Sequence, residues 1–319
     1  MSNSLFTIDC EYVQEQLAAA YLRITGEGKN REAAIIETNT SLAASKIAKA
    51  IADNNLAPDQ VRYIIVTHVH LDHAGGASTL LKMFPQAKLV AHPKAARHLI
   101  NPSKLIESAS EVYGLDRFKS LYGEILPAPE SRVFIPENNS ELNFGESTFR
   151  FIYTKGHANH HFVVVDDAIS TVYTGDSFGL AYPALQKGNT SFLFASTSPT
   201  DFDYDEAVKS VELIVNCGAD RAALTHFGIW SDLEEGKRQI LYSLGFFNSV
   251  YLQVLKEYLS PGEQYTFAKN QVQNFIYAEI SKRYGDVSEA QKNLLEMDID
   301  LNAQGIVFAA QRALKRNMA

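Results

Sequence analysis

Val66-Thr67-His68-Val69-His70-Leu71-Asp72-His73-Ala74-Gly75-Gly76 is the stretch from which the rest of this chain is read. Three histidines and one aspartate, His68, His70, Asp72 and His73, fall within six residues. The run before them, Val61 to Val66, is β-branched and apolar and predicts a buried strand. The run after them, Ala77 to Phe84, predicts a helix. The cluster therefore lies on a strand-to-helix loop. In an extended chain His68 and His70 point to one side, because side chains alternate with period two. A turn then brings Asp72 and His73 to the same pocket. Imidazoles and a carboxylate together suit zinc, iron or manganese. Burying so many polar groups with no ligand between them would be costly.

Upstream, Leu5–Ile8, Ala18–Ile24 and Ala33–Glu37 read as short strands, with Gly26-Glu27-Gly28-Lys29-Asn30 as the turn between the last two. Leu42 to Asn54 reads as a helix. Downstream, Lys88 to His92 is a strand, and Pro93 next to His92 marks a turn histidine rather than a ligand. Pro93 to Ile125 is helical and amphipathic. Strands resume at Arg132–Pro136 and Thr148–Tyr153, and the latter runs into Gly156-His157-Ala158-Asn159-His160-His161. Phe162–Asp166 and Ile169–Tyr173 form a hairpin, whose turn Asp166-Asp167 reads as solvated. The hairpin ends in Thr174-Gly175-Asp176-Ser177. A helix from Asp201 to Cys217 and a strand from Arg221 to Leu224 lead to Thr225-His226-Phe227-Gly228.

Thr67 to Gly76 resembles the H-x-H-x-D-H motif of the metallo-β-lactamase superfamily, a set of mostly hydrolases with a binuclear metal site. The later segments are similar to the family's remaining ligand motifs, in the same order, and the resemblance spans roughly residues 5 to 230. It implies an α+β fold, the four-layer αββα sandwich, over residues 1–230, followed by a helical C-terminal extension over 231–319. It also implies that His68, His70 and His157 hold one metal, that Asp72, His73 and His226 hold the other, and that Asp176 bridges them. The cofactors are then two divalent metal ions, zinc first, with iron or manganese as alternatives. Asp72 has a second, catalytic role in orienting the attacking water. His161 matches a hydrogen-bonding histidine of the family, and His160 has no assigned role. Glu37-Thr38-Asn39 stands where the family often carries Asp-x-Gly, a departure that bears on loop shape more than on metal.

A net charge of −8 argues against a nucleic-acid-binding protein or one drawn to an anionic membrane. Cys10 and Cys217 make no disulfide framework and fit a reducing compartment. No basic-then-apolar leader opens the chain, so a cytoplasmic location is expected. Beyond residue 230 the pattern is helical: Ser231–Leu259 with Ser231 as cap, then Glu263–Tyr284, Ser288–Glu296 and Leu301–Arg316, with Met297-Asp298-Ile299-Asp300 as a break. The apolar patch Leu244-Gly245-Phe246-Phe247 packs onto the sandwich, covers the metal cleft, or makes a homodimer contact.

The expected function is a metal-dependent hydrolase that uses a bridging hydroxide to cleave an ester, thioester or phosphoester bond of a small-molecule substrate. Cys217 lies in a helix, so the cysteine-containing site of some β-lactamases is not matched. The alternative is a di-iron oxygen-binding or redox sensor of the same fold. The family's oxygen reductases usually have glutamate where His70 stands, which disfavours electron transfer.

Overall fold

Strands β1 (Ser4–Asp9), β2 (Ala19–Thr25), β3 (Glu32–Ile36), β4 (Val61–Ile65), β5 (Lys88–Val90) and β6 (Val133–Phe134) form one six-stranded sheet in chain order. The coordinates, a computed structural model, describe residues 3–188, 191–256 and 260–317, without the side chains of 112, 113 and 317. The first three strands are antiparallel, and β3 to β6 are parallel. Parallel neighbours need crossovers. These are α1 (Ala44–Asp53) after β3, α2 (Leu71–Ala74) and α3 (Ala77–Met83) after β4, and α4 (Pro93–Ile100), α5 (Ser103–Tyr113) and α6 (Leu115–Tyr122) after β5. The single helical run expected from Pro93 to Ile125 is thus three helices. Pro102 and Gly114, the latter at φ +76°, interrupt it.

A second six-stranded sheet runs β12-β11-β10-β9-β8-β7, from β7 (Glu141–Phe144), β8 (Ser147–Thr154), β9 (His161–Asp166), β10 (Thr171–Gly175), β11 (Arg221–Leu224) and β12 (Gly228–Trp230). Strands β7 and β12 escape the sequence pattern because both are short and lie at the sheet edges. The β10–β11 pair is parallel, and α7 (Tyr204–Val215) is its crossover.

The chain forms two compact units. The first comprises Met1–Tyr153, His160–Gly175 and Asn216–Ser231. Here Leu22, Ile24, Ile35 and Leu89 face Ile47, Ile51, Leu80 and Leu99 of the helices. The alternate residues Tyr21, Ala34, Ile36 and Ile65 meet Phe149, Phe151, Phe162 and Tyr173 of the second sheet. Period-two alternation thus serves two cores at once. Each fully buried phenylalanine or isoleucine contributes about 1.5–3 kcal/mol. Val163, Val165 and Val172 on the second sheet's other face are also fully buried, which is why β9 and β10 read as continuous apolar runs.

Asp166 corrects the expectation of a solvated turn. It is fully buried, and Arg23 Nε donates to its Oδ2 at 2.5 Å. Only Asp167 is exposed.

The second unit comprises Thr154–Asn159, Asp176–Val215 and Asp232–Ala319. It holds α7, α8 (Leu233–Lys256), α9 (Pro261–Tyr284) and α10 (Glu289–Asn317). Asp232, not Ser231, caps α8, its Oδ1 accepting from the Glu235 N–H at 2.9 Å. The expected helix end at Leu259 lies outside the described residues. Pro261 opens α9, and the Glu263 carboxylate accepts from the Ser260 N–H at 2.8 Å.

Helix α10 is continuous where a break was expected at Met297–Asp300. The two aspartates that lower its apolar signal have tertiary partners: Tyr182 donates to Asp298 at 3.2 Å and Lys269 to Asp300 at 2.9 Å. Neither glycine nor proline stands there to end the helix. Phe246 stacks on Phe275 of α9 at 4.4 Å, so this apolar patch packs among the unit's own helices.

Candidate metal centre

In the first unit β4 delivers the chain to Val66, whose N–H donates to Val90 O at 3.1 Å. His70 has extended backbone, and its carbonyl accepts from the His73 and Ala74 N–H groups at 3.0 and 2.9 Å, opening α2. Asp72 and His73 thereby turn away from the strand direction. The loop 37–40 clamps this turn from outside. Thr38 donates to His73 O through N–H at 2.9 Å and Oγ1 at 2.7 Å, and Asn39 Nδ2 donates to Asp72 O at 3.0 Å. The two segments touch so closely at Gly76 that a Cβ there would lie 2.7 Å from Thr38 O. That contact explains the second of the paired glycines ending the motif, and at the first, Gly75, a Cβ would lie 2.5 Å from Leu71 O.

The imidazoles of His68, His70, His73 and His226 each have a specific partner. His68 is fully buried, with Nδ1 3.0 Å from Thr67 Oγ1 and Nε2 2.9 Å from His70 Nδ1. His73 Nδ1 lies 3.1 Å from Glu37 Oε2, and the other Glu37 oxygen accepts from the Thr67 N–H at 3.1 Å. His226 Nδ1 lies 2.8 Å from Leu17 O. A carbonyl and a carboxylate only accept, so both Nδ1 atoms carry the proton. The Nε2 atoms of His73 and His226 therefore present lone pairs. They lie 3.8 and 3.6 Å from Asp72 Oδ2. The three donor atoms sit within 4.8 Å of one another. Lone pairs this close repel unless a proton or a metal cation lies between them, and an imidazole–imidazole–carboxylate set is one that divalent metals accept, so this donor set fits a metal ion. The Asp72 carboxyl is 26 % exposed against 0 % for His73 and 7 % for His226, which makes it the member that solvent reaches.

In the second unit His157 Nε2 lies 3.4 Å from Asp176 Oδ2, and both side chains are buried. His157 Nδ1 faces Ser196 O at 3.4 Å, so here too the carbonyl assigns the proton to Nδ1. Asp203 N–H donates to Gly156 O at 3.0 Å, fixing the residue before His157.

The first unit thus brings Asp72, His73 and His226 together and sets His68 beside His70. The second sets His157 beside Asp176. His161 is fully buried with its ring 4.9 Å from that of His68. A Cβ on Gly175, at φ +50°, would strike His161 Nε2 and Thr67 Oγ1 at 2.5 Å. His92 caps α4, its Nδ1 accepting from the Lys94 N–H at 3.1 Å. Glu37 does more than shape its loop: it orients His73. The available signal was an acidic residue at a strand end, in the place of the family's aspartate.

Residues 24–226 match the sequence model of the metallo-beta-lactamase superfamily. The chain belongs to that superfamily. Its two sheets with helices and its helical C-terminal part, α8 to α10, are the superfamily's sandwich with an extension. A metallo-beta-lactamase fold-containing protein of Sulfurisphaera tokodaii is 30 % identical over 211 residues, 64 % of this chain and 76 % of that one. A solved structure of an archaeal superfamily protein from Sulfolobus tokodaii has TM-score 0.64 at 24 % identity, covering 96 % of this chain and 99 % of that one. A hydroxyacylglutathione hydrolase of Francisella tularensis subsp. novicida is 27 % identical over 172 residues, 54 % of this chain and 52 % of that one. The metallo-beta-lactamase fold implies divalent metal binding, which the histidine and aspartate clusters suit. Among the described residues no helix is long and apolar enough to cross a membrane.

Proposed function

We propose that the protein is a metal-dependent hydrolase of small molecules with an ester, thioester or phosphoester bond, the ester-type bond preferred. His68, His70 and His157 would hold one divalent cation; Asp72, His73 and His226 the second; Asp176 would be shared. Zinc suits this nitrogen- and oxygen-rich set best. A pair of bound cations supplies Lewis acidity toward the substrate oxygen and a water acidic enough to ionise near neutral pH.

The chain's own contribution is preorganisation. Glu37 and Leu17 O favour a proton on the Nδ1 of His73 and His226, which leaves the Nε2 of the neutral ring as the ligand atom. Asp72, more exposed than His73 and His226, accepts a hydrogen bond from the attacking water and orients it. The observation that carries the reading is the meeting of three ligand-type side chains, Asp72, His73 and His226, with one donor atom of each within 4.8 Å of the others. The relative named as a hydroxyacylglutathione hydrolase supports the hydrolase class.

The test is metal analysis of protein purified without added metal, with chromogenic ester, thioester, lactone and phosphodiester substrates assayed with and without chelator. Two metal ions per chain and chelator-sensitive turnover of an ester-type substrate are expected. Turnover indifferent to chelator, or an oxygen-dependent iron absorption without turnover, would overturn the assignment.

A further inference from the structure

Three histidines fall within five residues at His157, His160 and His161, yet the proposed ligand set uses only His157. His161 is buried beside His68. His160 is half-buried and belongs to the first unit together with the 66–76 loop. Its Nδ1 accepts from the Val69 N–H at 3.4 Å. Its ring lies nearly parallel to that of His68, at 6.1 Å and 15°, and edge-on to that of His70, at 5.5 Å and 87°.

Val69 is the residue between the two imidazoles whose Nε2 and Nδ1 approach to 2.9 Å. Its orientation decides whether those atoms aim at one point. A peptide N–H in a turn has no ladder partner, and a buried one without an acceptor is costly. An acceptor offered by a side chain on another segment satisfies it only when the peptide plane has one orientation. We propose that His160 is a positioning residue for the metal-binding loop: its Nδ1 holds the Val69 peptide so that His68 Nε2 and His70 Nδ1 converge on the same cation.

The roles in the His157–His161 segment are then distinct. His157 serves as ligand and His160 as brace, while His161 lies buried beside His68. An Nδ1 that accepts from a peptide carries no proton, so the neutral ring bears its proton on Nε2. His160 therefore acts on the metal through the backbone and not as a ligand. The inference rests on the metal-site reading above, because convergence of His68 and His70 matters only if they share an ion.

Two substitutions separate the acceptor from the ring. His160→Asn keeps an acceptor oxygen at the position of Nδ1 and removes the ring. His160→Phe keeps a flat ring and removes the acceptor, with His160→Leu as a second acceptor-free variant should the Phe protein not fold. Metal-free full-length proteins are titrated with zinc against a chromophoric chelator, and their thermal melts are compared without metal. The expected result is two zinc ions in the wild type, with one of the two affinities lowered about 10–100-fold in His160→Phe, the range for groups that orient ligands. His160→Asn should stay within a few-fold of wild type, and the metal-free melts should agree. Wild-type affinity in His160→Phe, or equal weakening in both variants, would overturn the positioning role while leaving the metal site standing. A wild type that binds no zinc would take down the functional reading and this one together.

Discussion

Two clusters of buried polar groups lie in the first unit, and they are built on opposite principles. Around Arg23 and Asp166, donors and acceptors match. Arg23 donates to Asp166, to Ile24 O and to Asn3 Oδ1, and Ser147 donates to the remaining Asp166 oxygen at 2.8 Å. The pair ties β2 of one sheet to β9 of the other. Around Asp72, His73 and His226 the outward nitrogens are the ones engaged, His73 Nδ1 by Glu37 and His226 Nδ1 by Leu17 O, and both Nε2 atoms turn toward Asp72 Oδ2. A cluster that closes on itself is architecture. One that gathers imidazole nitrogens and a carboxylate at its centre is the kind of cluster the proposed metal site would use. Cys10 shows a third arrangement: burial pushes its thiol up to about 12, so it stays neutral and requires no partner charge.

The contrast is open to measurement. Asp166→Ala leaves a buried guanidinium without its carboxylate, and stability should fall by about 3–5 kcal/mol in urea denaturation run with chelator. Its metal content should stay at the wild-type value. Depleted metal in that variant would mean the two clusters are coupled.

Glu37→Gln should do the reverse, weakening zinc binding about 10–100-fold, or roughly 1.4–2.7 kcal/mol, by loosening the His73 tautomer. A lowered melting temperature with unchanged zinc affinity would reassign Glu37 to the structural class.

The last effect is confined to alkaline pH and concerns Cys10. The folded state holds this proton more tightly than the unfolded chain, whose thiol sits near 9.0. The contribution to stability is fully present below that value and is lost as pH climbs toward about 12. Wild type should therefore lose up to about 1.4 kcal/mol per pH unit relative to Cys10→Ala across that window. Parallel curves for the two proteins would remove the neutral class from the comparison.

The sequence alone determined the local facts. The spacing of His68, His70, Asp72 and His73 fits one strand-to-helix loop because side-chain direction follows from backbone period. Runs such as Val61–Val66 and Phe162–Asp166 announced buried strands by composition. Tertiary structure decided which polar groups meet. Asp166 finds Arg23 across 143 residues, His226 finds Leu17 O across 209 and His73 finds Glu37 across 36. It also decided that α10 continues through Asp298 and Asp300. Spacing along a chain sets where a side chain points. Only packing sets whether a buried charge meets its opposite, and that meeting makes the Asp166 carboxylate part of what holds the fold together.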